Sequence, residues 1–340
     1  MIAPTRISID AVHAPVYYVE SVTSTLDLAA SLLADTATPT PHLTTIIADR
    51  QSTGRGRLGR SWITPPGQAL LASTIISLPV SLHADALGWI VHACALSVRH
   101  ALAARLKPLG HTVTLKWPND VLVDGSRKIC GILAQLAPAS SPFTTAVILG
   151  YGVNIAQAPG TLPTPQATSL LAEGDVQAGA DPTAVAHEVL AVILAGLDER
   201  MRSLVAHGDA ASAGLAAEAE AALPLIGTRI VLASPTDAFG TPALEGVALG
   251  LAPTGALLVR DDDGQTHQIE VAPVAAKRPQ LANMLIFRVG IESSKKFLRL
   301  FGFMVPFENR RFFLNLAARI LNFQMFGFEG AVNRHAYRLA

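Results

Sequence analysis

Three glycines and three arginines interleave through Gly54-Arg55-Gly56-Arg57-Leu58-Gly59-Arg60, with Trp62 just beyond. Gly54, Gly56 and Gly59 let backbone N–H groups approach an anion and tolerate positive φ. Arg55, Arg57 and Arg60 carry forked donors that match carboxylate and phosphate oxygens. Gln51, just before the run, can hydrogen-bond a polar ligand edge, and Trp62 offers an aromatic face to a base. The same run also suits a solvated basic turn or an arginine-rich RNA contact.

Three further segments carry chemistry. Lys116-Trp117-Pro118-Asn119-Asp120 gathers a point charge for phosphate, an amide and a hard oxygen ligand for magnesium. By itself Pro-Asn-Asp is only a turn. Arg127-Lys128-Ile129-Cys130-Gly131-Ile132-Leu133 places Lys128 between a turn and an apolar strand, where a rigid element would hold its ammonium. A lone lysine beside a turn is more commonly just exposed. Gly150-Tyr151-Gly152-Val153-Asn154-Ile155 leaves room for a ligand, and Asn154 has the donor and acceptor edges that read an adenine. The third glycine of a dinucleotide fingerprint is missing, and no G-x-x-x-x-G-K-[ST] phosphate loop occurs. Any ATP site must therefore be of another kind.

The elements that position these segments are mostly strands. Tyr17 to Val19 reads as a strand, and Ser21 to Thr25 cap a helix over Leu26 to Leu33. Thr44 to Ala48 and Ala69 to Leu78 are β-branched or Leu/Ile-rich strands flanking the Gly/Arg run. Ala84 to Leu106 has helical spacing, Val113 to Trp117 is a strand stopped by Pro118, and Asp124-Gly125 turns a hairpin from Val121–Val123 into Lys128–Leu136. Ala146 to Tyr151 is a further strand and Pro182 to Arg202 a helix. This order predicts an α+β fold rather than a strictly alternating doubly wound one. Past Leu223-Pro224, short β runs at Arg229–Leu232, Leu244–Leu251, Ala256–Val259 and Gln268–Val271 predict a small β-barrel.

Composition bounds the function classes. Half of the 340 residues are apolar, 15% are charged, and the formal net charge is zero, which argues against a generic polyanion-binding surface. Two cysteines give no disulfide framework and too few thiolates for a metal cluster, and they fit a reducing cytosol. The first eighteen residues lack the pattern of a signal peptide, and no uninterrupted apolar run has the length of a membrane helix, so a cytoplasmic location is expected. The last stretch is different. From Pro279 to Ala340 there are nine Lys/Arg against three Glu, and ten of the twelve Phe lie there. Phe297–Phe307 and Phe312–Phe328 would suit amphipathic helices at a membrane surface or partner groove, a packing extension, or an appended segment.

In this order and spacing the four segments resemble the biotin–protein ligase family, over roughly Tyr17 to Val274. The resemblance implies a mixed β-sheet flanked by helices, of the class II synthetase-like biotin/lipoate ligase type, over residues 16–222. An SH3-like β-barrel over 223–277 and a basic Phe-rich tail of unknown role over 278–340 complete the implied organisation. It implies an ATP-dependent ligase that forms biotinyl-5′-adenylate and transfers biotin to a lysine of the biotin carboxyl carrier domain of a carboxylase. ATP and biotin are then substrates, with Mg2+ as cofactor. Ser24 and Thr25 fall at the biotin ureido group, with Gln51 a further biotin contact. Arg55, Gly56 and Arg57 belong to a loop that closes over biotin and the adenylate, mobile before ligand binds. Arg57 and Arg60 neutralise phosphate charge, and Lys128 contacts biotin's carboxylate and the adjacent phosphate, so Lys128 and Arg57 carry the catalysis. Trp62 stacks on adenine, with Lys116, Asn119 and Asn154 on the ATP side and Asp120 a neighbour of magnesium. The family's Ser-Thr-Asn motif ends here in Leu26, so one polar contact is missing. With about fifteen residues before the first strand, the resemblance is to the monofunctional type without a DNA-binding domain, and no DNA partner is expected. Two alternatives remain: a lipoate–protein ligase, which shares fold and chemistry, and a nucleic-acid-binding module using the Gly/Arg loop and the basic tail.

Overall fold

Apolar strand runs separated by turn residues build one large sheet in the computed structural model, which describes residues 4–35, 37–138, 141, 143–177, 179–233, 242–271 and 287–290. In chain order the elements are β1 (Thr5–Ile7), β2 (Val16–Val22), α1 (Thr25–Ala34), β3 (Thr45–Gln51), β4 (Ala69–Pro79), α2 (Trp89–Leu106), β5 (Val113–Lys116), β6 (Asp120–Val123), β7 (Arg127–Ala137), β8 (Thr144–Asn154), α3 (Pro182–His207) and α4 (Leu215–Ala221). The strands lie in the order β1-β2-β3-β4-β8-β7-β6-β5. Only β2 and β3 pair in parallel; every other neighbouring pair is antiparallel. The sheet is therefore mixed, as the run of strands implied. Three elements depart from the expected map: β1 is too short to show a period, α4 adds a helix where the spacing predicts none, and the helix expected from Ala84 begins at Trp89 after a 3-10 turn over Ala84–Gly88.

Side-chain alternation sorts the strands into two cores. On β8, Val147, Leu149, Tyr151 and Val153 enter the larger core, under α2 and α3. Ala146 and Ile148 enter a smaller core with Leu26, Leu28, Ala29 and Leu33 of α1. The next positions on that second face are Gly150 and Gly152, and this bare strip matters below. Helix α2 is long and apolar enough to cross a bilayer by length and composition, but Ile90, Ala93, Leu96, Val98 and Leu102 are buried in the larger core. It is the central helix of the fold.

A second, five-stranded antiparallel sheet follows, built from β9 (Arg229–Ala233), β10 (Pro242–Leu251), β11 (Leu257–Arg260), β12 (Thr266–Val271) and β13 (Phe287–Gly290), with neighbours in reverse chain order. Its last strand comes from beyond residue 277, the end of the barrel that the resemblance implies. The two Phe-rich segments expected at Phe297–Phe307 and Phe312–Phe328 lie outside the described residues.

The Pro253-Thr254-Gly255 turn of this sheet docks on the start of α2. Trp89 donates its indole N–H to the Pro253 carbonyl at 2.7 Å. His92 Nε2 lies 2.9 Å from the Gly255 carbonyl, which can only accept, so Nε2 carries the ring proton. A side chain at Gly88 would meet Thr254 O at 2.0 Å, so the close approach requires glycine there. Trp117 packs against the cores of both sheets, which gives that aromatic a structural task.

Burial lowers the pKa of His92, and the hydrogen bond to Gly255 opposes this more weakly. The folded state thus holds a neutral imidazole, whereas an unfolded chain protonates near the ordinary value of about 6.5. The stability this contributes is complete above that value and is lost as pH falls from there towards the lower folded pKa. Burial depresses His42 as well, so it adds in the same direction. We expect the melting temperature to fall between pH 7.5 and pH 5, and to fall less for His92→Gln, which can still donate to Gly255. Parallel losses in the two proteins would show that His92 is not held neutral.

Candidate active site

The bare strip is the floor of the site. Ser73 of β4, Gly150 and Gly152 of β8, and Gly131 and Leu133 of β7 share one face by register: Ser73 pairs with Gly150, Gly150 with Leu133, and Gly152 with Gly131. Leu26 packs on Gly150, where an added Cβ would lie 2.8 Å from Leu26 Cγ. The Leu26 that replaces the family asparagine is therefore part of the apolar wall. Past Gly150 it is the indole of Trp62 that lies on the sheet: a Cβ at Gly152 would meet its Cε2 at 2.5 Å, and one at Gly131 its Cζ3 at 3.1 Å. Among the described residues no acceptor reaches the buried indole N–H of Trp62.

One end of the strip is polar and buried. Ser24, the N-cap of α1, does not use its side chain for capping, and its hydroxyl is buried without a partner among the described residues. The Thr25 amide and hydroxyl both donate to Gln51 Oε1, at 2.8 and 3.1 Å, and Ser73 Oγ donates to Thr25 Oγ1 at 2.8 Å. The parallel pairing of β2 with β3 makes this cluster possible, because it carries the ends of both strands, residues 22–25 and 51–53, side by side. Ser73 was not among the residues expected here; its only sequence signal was a polar residue inside an apolar strand.

The other end is charged. Lys128 Nζ lies 2.6 Å from Asp120 Oδ1 and 5.7 Å from the centre of the Trp62 ring. No well-angled hydrogen-bond donor reaches that oxygen, so the contact is mainly one of charge. A β-bulge aims Lys128: Cys130 pairs with Val121 and Lys128 with Leu122, so Ile129 and Cys130 both turn into the larger core. Burial raises the Cys130 thiol well above its ordinary pKa, so no thiolate nucleophile stands beside Lys128. Arg57 donates to Asn119 Oδ1 at 2.9 Å, and Asn119 Nδ2 donates to the Ile132 carbonyl at 2.7 Å. Burial lowers the Arg57 pKa, Asp120 opposes that, and Arg60 adds to it; a guanidinium nonetheless stays protonated.

The Gly/Arg loop folds as a small lid. Arg55 bridges Ser61, Gly56 N–H donates to Arg60 O at 2.7 Å, and Trp62 N–H donates to Gly54 O at 2.9 Å. A Cβ on Gly54 would lie 2.3 Å from Trp62 O, and Gly59 has φ of 73°, so both positions need glycine. Residues of the stretch Arg50–Pro66, among them Gln51, Gly56, Arg60 and Trp62, line a cavity of about 730 Å³. That is room for a ligand of nucleotide size.

Several expected contacts are placed differently. Arg55 is tied to Asp27 of α1 at 2.6 Å, an exposed pair that latches the lid to the helix. Arg60 and Lys116 are exposed at the rim. Asn119 holds Arg57 rather than presenting a free edge. Asn154 is corrected most clearly. It is buried, its Nδ2 donates to Thr168 O at 2.8 Å, and its Oδ1 accepts from Gln157 Nε2 at 3.0 Å. Each end of its amide therefore already has one partner inside the protein, so it stands as a buried bracing group in this structure.

A family model described as the biotin/lipoate A/B protein ligase family matches residues 17–154, from β2 to the end of β8. The chain is 32% identical over 236 residues to the biotin–[acetyl-CoA-carboxylase] ligase of Mycobacterium tuberculosis, covering 68% of this chain and 79% of that protein. The chain belongs to the biotin/lipoate A/B protein ligase family. A second relative, the ligase of the same name from Paracoccus denitrificans, is 30% identical and is covered over 88% of its length, against 68% of this chain. Among solved structures, the biotin protein ligase of Aquifex aeolicus in complex with biotin and ATP superposes with a TM-score of 0.56 at 22% identity, covering 81% of this chain and 99% of that one. That likeness speaks for the fold. Within this family member, the matched stretch contains the whole floor, the lid and both ends of the site.

Gly152→Ala tests the seat of Trp62 on the sheet. The methyl group should lift the indole off the floor, giving red-shifted emission more open to acrylamide quenching, with the melting temperature shifted by only a few degrees. An unchanged spectrum would mean that the ring does not rest on Gly152.

Proposed function

We propose that this chain is a biotin–protein ligase that activates biotin with ATP and transfers it to a lysine of a carrier domain of a carboxylase. The observation that carries the reading is the polar cluster Ser24, Thr25, Gln51 and Ser73 at the closed end of a glycine floor. A ring with a ureido group has the donors and acceptors to satisfy a buried, unpartnered hydroxyl such as Ser24; a dithiolane ring has neither, and would leave a cost of about 1–3 kcal/mol per unpaired group. The names of the two relatives, which specify biotin and acetyl-CoA carboxylase, support the same substrate and carrier.

The reaction has two steps. A carboxylate oxygen of biotin attacks the α-phosphorus of ATP, pyrophosphate leaves, and a mixed anhydride with AMP forms. The carrier lysine then attacks the acyl carbon, AMP leaves, and the amine proton is released. Ser24, Thr25 and Gln51 hold the ring, and once Trp62 lifts with the lid the glycine floor at Gly131 and Gly152 lets the valeryl chain and phosphate approach the backbone. Lys128 and Arg57, brought to one end of the floor, offset the negative charge that gathers where carboxylate and phosphate meet. The lid keeps water from the anhydride, with Trp62 as its inner face. A magnesium ion would bind as such ions do with few protein carboxylates, through Asp120 and phosphate oxygens, and would neutralise phosphate charge when bound. Asp120 fits that part as an acid with an oxygen lacking a well-angled donor.

Three finer readings belong to this proposal. The five-stranded sheet after Arg229 is an SH3-like barrel, appended to a catalytic unit spanning residues 16–222. The protein works in the cytoplasm, where its two buried free thiols stay reduced.

An ATP–pyrophosphate exchange assay is the test. Biotin should support exchange, while lipoate or no acid should not. Lys128→Ala should lower the rate by about 10²–10³-fold, as loss of a charge aimed at the reacting centre does elsewhere. Exchange with lipoate instead of biotin would overturn the substrate, and undiminished exchange in the variant would overturn the role of Lys128.

A further inference from the structure

Glu173 lies beyond the matched stretch, and no motif drew attention to it. Its side chain is only 6% exposed and is fully engaged. It accepts from Arg127 Nε and Nη2 at 2.7 and 2.9 Å, and from the Thr168 hydroxyl at 2.5 Å. Arg127 Nη2 also reaches Asp124 Oδ2 at 2.7 Å, in the β6–β7 turn where Asp124 and Gly125 both have positive φ. His111 closes the knot, with Nδ1 2.9 Å from Asp124 and Nε2 3.4 Å from Glu173. His111, Asp124 and Glu173 could by spacing hold a cation, but the Arg127 guanidinium already bonds both carboxylates, so this is an ion-pair knot. Burial pushes the Glu173 pKa up, and Arg127 and Thr168 outweigh it, so the group stays ionised.

The knot is tied to the backbone at Lys128. Arg127 is the residue before it. Thr168 N–H donates to the Lys128 carbonyl at 2.9 Å, and the Lys128 N–H donates to Gln166 O at 2.6 Å. Glu173 therefore grips one neighbour of Lys128 through its side chain and the segment paired with Lys128 through Thr168. Such anchoring matters here because the bulge frees the direction of residue 128 from the strict alternation of the ladder. The Arg57 end needs no equivalent, since Asn119 is itself bound to the β7 backbone.

We propose that Glu173 is a positioning residue for adenylate formation, holding the Lys128 ammonium where the biotin carboxylate meets the α-phosphate. This rests on the reading of Lys128 given above. A charge displaced by about 1 Å can lose of the order of 10²-fold in rate, while groups that orient a reacting one typically contribute 10–100-fold.

The test is a double-mutant cycle on the single-turnover rate of biotinyl-adenylate formation in the full-length protein. Glu173→Gln, close in size, should lower the rate by about 10- to 100-fold while the Km for biotin moves by less than about threefold. In a Lys128→Ala background the same change should have no further effect, because there is no ammonium left to place. Arg127→Lys, which keeps the charge but loses the fork, should behave in the same way and serves if Glu173→Gln melts too low to assay. Equal losses in both backgrounds would reduce Glu173 to a stabilising residue and overturn the proposal, as would full activity of Glu173→Gln. If Lys128→Ala alone lost nothing, the underlying reading would fail; loss there with no loss at Glu173 would sink only this inference.

Discussion

A β-strand must send alternate side chains to opposite faces, and β7 and β8 use that constraint to leave part of one face empty. Gly131, Gly150 and Gly152 fall on the same side because their register pairs Gly131 with Gly152 and sets Gly150 two residues away. The opposite face is continuous core: Cys130, Ile132, Tyr151 and Val153 lie under α2 and α3. Leu26 and the Trp62 indole cover the backbone on that side, while the strands keep nearly all their apolar burial on the other. Each glycine weakens a strand interior somewhat, and the burial of the flanking positions in the larger core offsets this. The rest of the site is arranged around that strip. Helix α1 ends its cover at Gly150, the lid returns Trp62 to Gly152, and polar groups stand at the two ends.

The two ends differ in how they are built. The Ser24–Thr25–Gln51–Ser73 cluster is held by short hydrogen bonds between elements already fixed by the β2–β3–β4 pairing. The charged end depends on side chains several atoms long, and long side chains need anchors. Arg57 is anchored by Asn119, and Asn119 by the Ile132 carbonyl. Lys128 is set by a bulge and by the ion-pair knot that Glu173 shares with Arg127, Asp124 and His111. Most of that knot is only partly exposed, so water screens it less than the surface pair Arg55–Asp27. The Arg55–Asp27 latch is accordingly the weaker tie of the two.

The second sheet is tied to the first through backbone carbonyls. Pro253 and Gly255 accept from Trp89 and His92 at the start of the central helix, and Glu220 Oε1 accepts from the Leu251 amide at 2.7 Å. Trp117, in the middle of a segment first read for ligand chemistry, packs between the two cores. Its neighbours Asn119 and Asp120 reach the site because Trp117 and the β5–β6 turn are fixed from behind.

By itself the sequence determined most of the strand and helix order, though not β1, α4 or β13, together with the hairpin at Asp124-Gly125 and the set of charged and glycine-rich segments, because these rest on local period, turn chemistry and residue type. The Gly/Arg run was legible as anion chemistry for the same reason, and its company with Lys116–Asp120, Lys128 and Asn154 carried the family. What each polar side chain does was decided only by tertiary structure. Asn154 has the edges to read a base, yet folding uses both on Thr168 and Gln157, partners 14 and 3 residues away. Arg55 looked equivalent to Arg57 and is instead a latch to Asp27. Ser73 carried only the signal of a polar residue in an apolar strand and Glu173 none, since their importance comes from partners brought close by strand register and by a loop folding back on Lys128. A hydrogen bond depends on distance and angle in space, and one chain's residue types and spacings do not contain either.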